Sequence, residues 1–165
     1  MNFSYSQRVG GHPYGMAMTD RREHLGFVRI SKCGSITATR FYGLRRWQPI
    51  DALEQRRIAL YSAIRNPVDR LLSSIPETLK RKRLLGNDTS GGFHLPNDVM
   101  FALLQIDASS AQSLALEFIK VIGEMGPFDA HHEAMFKFLF DYSGNPYGNP
   151  VVFRTETMAS TLPRI

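Results

Sequence analysis

The stretch GFVRISKCGSITATRFYGLRRW, residues 26–47, decides the fold class. Its first six residues form a β-branched and aromatic run that is typical of a strand, and the following KCGS contains a turn-forming glycine. Ile36, Arg40 and Leu44 then recur at four-residue spacing, which predicts a helix that begins near Ser35. The stretch therefore predicts a strand, a tight loop and a helix in succession.

The rest of the chain continues this alternation of strands and helices. Residues 58–64 are a continuous apolar run that predicts a buried strand, and residues 151–156 predict another. Pro67 fits the first turn of a helix that ends its regular pattern at Pro76, and its predicted apolar stripe is Val68, Leu71, Leu72 and Ile75. Further helices are predicted over residues 97–106, 110–122 and 129–140. We therefore expect an α/β fold of three layers, in which helices flank a mainly parallel sheet.

The composition predicts one domain over residues 1–165, of which residues 1–23 form an irregular arm. A chain of this length buries about 70% of its unfolded surface, so it needs no disulfide or structural metal. Its single cysteine, Cys33, excludes an internal disulfide and a cysteine zinc cluster. The apolar runs fall short of the ~18 residues of a membrane span, and the N-terminus does not resemble a signal peptide. We therefore expect a soluble, cytoplasmic protein.

The loop after the first predicted strand has the features of an anion site. Its glycine allows the backbone to turn, and the start of the following helix directs free N–H groups towards a ligand. Lys32 adds a positive charge, while Ser35 and Thr37 add hydroxyl donors. The net charge of +5 also favours an anionic partner. Because Lys32 precedes Gly34, the loop lacks the Walker order, which disfavours a nucleoside triphosphatase.

A phosphatase is a second interpretation of this loop. In such enzymes a cysteine thiolate lies in an anion loop that an arginine closes. Six residues lie between Cys33 and Arg40, one more than that pattern has. We therefore interpret Cys33 as a small buried side chain near the end of the strand.

A second segment, YSAIRNPVDRLLSS at residues 61–74, also has a basic residue directly after a predicted strand. Arg65 stands at the C-terminal end of a predicted strand, where open α/β sheets bind their ligands, and Ser73 lies in the following helix. The planar fork of an arginine grips two phosphate oxygens, and a serine hydroxyl donates to a third. On spacing alone, a strand cap beside an Asp69–Arg70 ion pair is the simpler interpretation.

Taken in order, SKCGSIT and RNPVDRLLS resemble the sulfotransferases that use 3′-phosphoadenosine 5′-phosphosulfate (PAPS), most closely a short variant of the carbohydrate-type and Golgi-type branches. The resemblance implies a P-loop-like nucleotide-binding core. It implies that Lys32 contacts the bridging oxygen and the sulfonate, and that Arg65 and Ser73 bind the 3′-phosphate. The loop around the 5′-phosphosulfate then consists of Lys32, Cys33, Gly34, Ser35, Ile36 and Thr37.

Two weaker similarities to this family lie further along the chain. FDAHHEAMFKFLF resembles a segment near the acceptor, and it implies that His131 is the general base, followed by His132 or Glu133. Ala134 and Met135 stand where that segment usually has proline and glutamine. VVFRTETM resembles the late strand that ends in a glutamate, here Glu156.

The reaction implied by this resemblance is transfer of a sulfonate group from PAPS to an acceptor hydroxyl or amine, with Lys32 and His131 as catalytic residues and no metal. The acceptor is unknown, and a carbohydrate or another small molecule is a candidate. A basic run at residues 80–83 suits an anionic acceptor or a solvated helix face, and aromatic residues are not interleaved with it, which disfavours nucleic acid. The alternatives are a noncatalytic module that binds PAPS or adenosine 3′,5′-bisphosphate, and a small-molecule kinase.

Overall fold

A computed structural model of the protein describes the backbone of residues 8–9, 12–85, 102–103, 105–106, 109–126, 131–132 and 134–161. The chain divides into two compact units. The first contains Met1–Arg8, His12–Asn66 and Ala134–Ile165, and the second contains Val9–Gly11 and Pro67–Glu133. The single domain over residues 1–165 stays a prediction.

A five-stranded sheet organises the first unit, with the order β5-β3-β4-β6-β7. Two two-residue strands, β1 (Arg8–Val9) and β2 (His12–Pro13), lie outside it. The strands of the sheet are β3 (Met16–Thr19), β4 (Leu25–Val28), β5 (Arg46–Pro49), β6 (Ala59–Ile64) and β7 (Val151–Arg154). The three strands that the sequence predicts are therefore confirmed within a few residues of their predicted bounds.

The sheet is mixed, because it contains both parallel and antiparallel pairs of strands. β4, β6 and β7 are parallel, with Val28 opposite Ser62 and Ile64 opposite Arg154. β3 is antiparallel to both β4 and β5. The α/β class is confirmed, whereas the mainly parallel sheet describes only the β4-β6-β7 half.

The prediction of an irregular arm over residues 1–23 is wrong at β3, which lies inside the sheet. Its four residues, MAMT, follow Gly15 and include a single β-branched residue, Thr19, which is too weak a pattern to indicate a strand. β5 is equally hard to recognise, because it reads RWQP and is half exposed. Its Pro49 is tolerated because β5 forms an edge of the sheet.

Three short helices complete the described part of the first unit: α1 (Ser35–Phe41), α2 (Ile50–Gln55) and α5 (Met158–Thr161). The predicted start of a helix at Ser35 is confirmed. The helix predicted over residues 129–140 is wrong for the described residues, which contain only a 3-10 turn at Met135–Phe138. The chain leaves helical geometry there, because Phe140 pairs with Pro146 and the Tyr147 N–H donates to the Leu139 carbonyl at 2.7 Å.

The core of the first unit lies along β4, all of whose residues are buried. Phe27 of β4 packs against Phe153 of β7, with ring centroids 6.4 Å apart. Ile50 and Leu53 of α2 are also completely buried. Burial of a side chain of this size stabilises the fold by about 1.5–3 kcal/mol, so these residues hold β4 rigidly in place.

The second unit is mainly helical in its described residues, apart from Val9 of β1 and a few residues in turns and bends. α3 (Pro67–Leu85) begins at Pro67 as predicted and continues through Pro76. α4 (Ala111–Met125) agrees with the helix predicted over residues 110–122, and the Ser110 hydroxyl caps it by accepting from the Ser113 N–H at 3.0 Å. The hydrophobic core of the second unit contains a cluster of four buried residues: Ile75, Leu103, Phe118 and Val121. No described helix has the length and apolar character that a membrane span requires.

The predicted apolar stripe of α3 is partly wrong. Val68 and Leu72 are exposed, whereas Ile75 is buried as predicted. The residues that are buried in their place are polar: Arg70, Ser74 and Thr78. Of the helix predicted over residues 97–106, the structure describes residues 102–103 and 105–106, and 102–103 are helical.

Candidate functional site: the carboxyl edge of the parallel strands

The candidate site lies in the first unit, where β4, β6 and β7 end. Because these neighbouring strands are parallel, the residues that follow them emerge at one edge of the sheet. The loop with Lys32 follows β4, Arg65 follows β6, and Thr155 follows β7. The structure therefore brings Lys32 and Arg65 to the same edge of the sheet.

The turn between β4 and α1, residues 31–34, has two positions in left-handed conformation. Lys32 has φ +62° and Gly34 has φ +71°. A left-handed conformation costs a residue with a side chain about 1–2 kcal/mol, whereas glycine adopts it freely. The surrounding structure therefore holds Lys32 in a strained conformation, which is a common feature of functional sites.

Gly34 is required by packing as well as by its backbone conformation. A Cβ atom at this position would lie 2.7 Å from the Met158 Sδ and 3.4 Å from the Thr155 Cγ2. Both neighbours belong to the segment that follows β7. The turn after β4 therefore packs closely against the end of a strand two positions away in the sheet.

Cys33 lies inside this turn and is completely buried. Its Sγ contacts the Met135 Sδ at 3.6 Å, and its N–H donates to the Ile30 carbonyl at 3.3 Å. This placement agrees with the interpretation of Cys33 as a packing residue. Its side chain packs inside the turn, and the predicted place of Cys33 in the ligand-binding loop stays a prediction.

The start of α1 supplies N–H groups at the same edge. Ser35 is buried, whereas Ile36 and Thr37 are exposed. The first intrahelical hydrogen bond is from the Ala38 N–H to the Gly34 carbonyl at 3.0 Å, so the N–H groups of the preceding residues have no partner within the helix. No side chain among the described residues caps this end.

Arg65 is half-buried and immediately follows β6. The preceding carbonyl, of Ile64, accepts a hydrogen bond of 2.9 Å from the Thr155 hydroxyl. This bond ties the ends of β6 and β7 together beside Arg65. Glu156, predicted as the end of the last strand, lies two residues beyond β7 in an exposed 3-10 turn.

The remaining predicted site residues belong to the second unit. Ser73 lies in α3, and its hydroxyl donates to the Arg70 carbonyl at 2.8 Å. His131 is buried in a turn, next to His132, whose Nε2 is 3.3 Å from the Thr78 hydroxyl oxygen. The His132 ring also packs against Phe118, at 5.3 Å between centroids. Glu133 lies outside the described residues.

Sequence reasoning missed Thr155 and Met158, which hold the edge together. Both contacts join residues that are far apart in the chain, and neither residue type has a local pattern that indicates them. The positive φ of Lys32 could not be predicted from the sequence either, because lysine is not a residue that favours this conformation. Among the described residues, no group of three or more His, Cys, Asp or Glu side chains is placed to hold a metal ion.

Comparisons with known proteins do not assign the chain to a family. No family model matches it, and no curated protein or solved structure is similar enough to count as a match.

Proposed function

We propose that the chain is a PAPS-dependent sulfotransferase. One observation carries the proposal: a strained lysine turn and an arginine follow two adjacent parallel strands, at the same edge of the sheet. Lys32 and Arg65 thus combine a point charge with a planar fork, which suits a nucleotide with phosphate groups at two positions. The resemblance of SKCGSIT and RNPVDRLLS to the sulfotransferases supports the same assignment.

In this proposal the turn and the start of α1 bind the 5′-phosphosulfate. The N–H groups of Ser35, Ile36 and Thr37 donate to the 5′-phosphate, because they have no partners within the helix. The Lys32 ammonium contacts the bridging oxygen and the sulfonate. The left-handed backbone of Lys32 sets the direction in which its side chain leaves the turn at the strand end.

The resemblance to the sulfotransferases implies that Arg65 and Ser73 bind the 3′-phosphate. Arg65 donates two parallel hydrogen bonds to phosphate oxygens. The Ser73 hydroxyl has only one proton, which it gives to the Arg70 carbonyl in this structure. It must rotate before it can donate to phosphate, so we expect Arg65 to contribute more affinity than Ser73.

The reaction is an in-line transfer of the sulfonate group. An acceptor oxygen or nitrogen forms a bond to sulfur while the bond from sulfur to the bridging oxygen breaks. Lys32 stabilises the negative charge that develops on that oxygen, and a base, for which His131 is the candidate, takes the acceptor proton. The products are the sulfated acceptor and adenosine 3′,5′-bisphosphate.

The test is transfer of labelled sulfonate from PAPS to a panel of carbohydrate, hydroxyl and amine acceptors. We expect transfer by the wild-type chain and its loss in Lys32→Ala. Arg57→Ala is the matched control, because Arg57 is a cation of the same unit with a similar φ of +57° and precedes β6 instead of following its carboxyl end. We expect it to retain activity.

Two companion measurements, of bisphosphate binding and of ATP hydrolysis, separate the alternatives. Binding of adenosine 3′,5′-bisphosphate without transfer to any acceptor would assign the chain to the noncatalytic modules. Magnesium-dependent hydrolysis of ATP would assign it to the small-molecule kinases. Equal transfer by wild type and Lys32→Ala would contradict the proposed role of Lys32.

A further inference from the structure

The first unit contains a cavity of 340 Å³ that is separate from the predicted loop residues. Such a volume is near the lower end of the range for small-molecule sites. Most of its lining is aromatic, and five rings contribute to it: Tyr14, Phe136, Phe140, Tyr142 and Tyr147. The nucleotide chemistry proposed above uses none of these side chains.

A hydrogen-bonded frame fixes the shape of this aromatic cavity. The Asp141 carboxylate accepts from the N–H groups of Ser143 and Asn145, both at 2.8 Å, and from the Asn145 side-chain amide at 3.0 Å. The Asp141 N–H donates in turn to the Asn145 carbonyl at 2.8 Å. The Tyr14 ring packs edge-on against Phe138, with centroids 5.2 Å apart. These contacts hold the 141–145 turn and the Tyr14 ring of the lining in place without a ligand.

Several of the lining rings are unusually exposed. Phe136 is 59% exposed and Tyr142 is 75% exposed, while Phe140 is 39% exposed. Exposed aromatic groups beside a concave surface are unfavourable in water and gain free energy when another apolar group covers them. This combination indicates a surface that binds a partner of small size.

We propose that this cavity binds a small uncharged aromatic molecule. Ring faces and edges of the lining offer the offset and edge-on contacts that aromatic ligands prefer. The lining holds one cation and one anion, Lys137 and Asp141, so it favours neither sign of ligand charge. The Asp141 carboxylate already accepts three hydrogen bonds, which leaves little capacity for the several hydroxyls of a sugar.

The test compares three probes on the full chain by calorimetry or by NMR titration. Benzyl alcohol carries the aromatic ring, cyclohexylmethanol has the same hydroxymethyl group on a saturated ring, and methyl β-glucopyranoside represents sugars. We expect saturable binding of benzyl alcohol, tighter than that of cyclohexylmethanol by about threefold to tenfold, because aromatic pairs contribute beyond area burial. We expect the glucoside to bind more weakly than either.

Variants locate the binding. Phe136→Ala removes an exposed ring of the cavity, and we expect it to weaken benzyl alcohol binding about tenfold. Phe41→Ala is the matched control, because Phe41 is 63% exposed and belongs to α1. It should leave the affinity within about twofold, and both variants should keep the circular dichroism spectrum of the wild type, because each changes an exposed side chain.

The proposal is overturned if benzyl alcohol fails to saturate, if cyclohexylmethanol or the glucoside binds as tightly, or if both phenylalanine variants lose affinity equally. No nucleotide takes part in these titrations. The outcome is therefore independent of the sulfotransferase assignment, and either can fail alone.

Discussion

Two turns of the first unit both contain a left-handed backbone conformation, but they place it on different types of residue. The turn after β4, residues 31–34, places one of its two left-handed conformations on Lys32. The turn over residues 141–145 places its left-handed conformation, φ +80°, on Gly144. In the second turn the Asp141 carboxylate also satisfies two backbone N–H groups, whereas no described side chain caps the helix that follows the first.

The difference separates a turn that we propose binds an anion, the turn after β4, from a turn that supports the fold, the turn over residues 141–145. A charged side chain in a strained conformation beside uncapped N–H groups is costly for the isolated chain, and an anionic ligand offsets that cost. A glycine turn with an internal carboxylate needs no ligand. Variants of each turn can break or sharpen this contrast, and their expected effects decrease in the order below.

Lys32→Gly should separate activity from stability. We expect sulfonate transfer to fall about 10²–10³-fold, which is typical when a donor to a developing charge is removed. The free energy of unfolding should rise by about 0.5–1 kcal/mol, because glycine adopts the positive φ without strain. Transfer assays and urea denaturation measure the two effects.

Arg57→Gly is the control for this variant. Arg57 has φ +57°, so the same gain in stability is expected, but with transfer unchanged. A loss of stability in Lys32→Gly beside a gain in Arg57→Gly would show that the lysine stabilises its turn, and the contrast between the turns would fail.

Gly34→Ala should be the most destabilising change in the turn after β4. The positive φ costs about 1–2 kcal/mol, and the new Cβ would lie 2.7 Å from the Met158 Sδ, which must move. Gly43→Ala separates the two contributions, since Gly43 has φ +62° and nothing within 4 Å of its Cβ position. We expect losses of about 2–3 and 1–2 kcal/mol in chemical denaturation; equal losses would contradict the close packing of the turn.

Thr155→Val tests the bond that ties β6 to β7 at this edge. The Thr155 hydroxyl donates to the Ile64 carbonyl at 2.9 Å, and valine has nearly the same shape without the donor. We expect a loss of about 1 kcal/mol in the free energy of unfolding, together with weaker nucleotide binding by Arg65, which follows Ile64. An unchanged affinity would show that this bond does not position the arginine.

The stability that the turn over residues 141–145 contributes should decrease in acid. Hydrogen bonds from Asn145, first from its side-chain amide and then from its N–H, lower the pKa of Asp141 below its ordinary value. The carboxylate therefore adds stability above about pH 4, and this contribution is lost as the pH falls through the lowered pKa. Asn145→Ala should flatten this part of the pH profile, as measured by urea denaturation; an unaltered profile would contradict the role of the turn.

Much of the sheet could be predicted from the sequence, because β4, β6 and β7 are rich in aliphatic and aromatic residues, although only Phe153 of β7 is buried. The helix start at Ser35 and the helix at Pro67 followed from spacing and from proline geometry. β3 and β5 could not be predicted, since their pairing depends on neighbours far along the chain and each has only one residue of a strand-favouring type, Thr19 and Trp47. The 3-10 turn at Met135–Phe138 could not be predicted either, because tertiary contacts end a sequence pattern that is typical of a helix.

The candidate site was predictable only in part. The sequence places Lys32 and Arg65 directly after two predicted strands. Because β4 and β6 are parallel neighbours, the two residues lie at the same edge of the sheet. The buried face of α3 was missed, because Arg70, Ser74 and Thr78 are polar and hydrophobic periodicity selected Val68 and Leu72 instead. Periodicity detects apolar burial and is blind to buried polar residues.

The most direct test of the account is a calorimetric titration with adenosine 3′,5′-bisphosphate and with adenosine 5′-monophosphate, which differ by the 3′-phosphate alone. We predict that the bisphosphate binds at least about tenfold more tightly, and that Arg65→Ala abolishes this difference while Arg46→Ala, on the exposed edge strand β5, preserves it. Equal affinities of the wild-type chain for the two nucleotides would contradict the assignment of Arg65 and, with it, the sulfotransferase proposal.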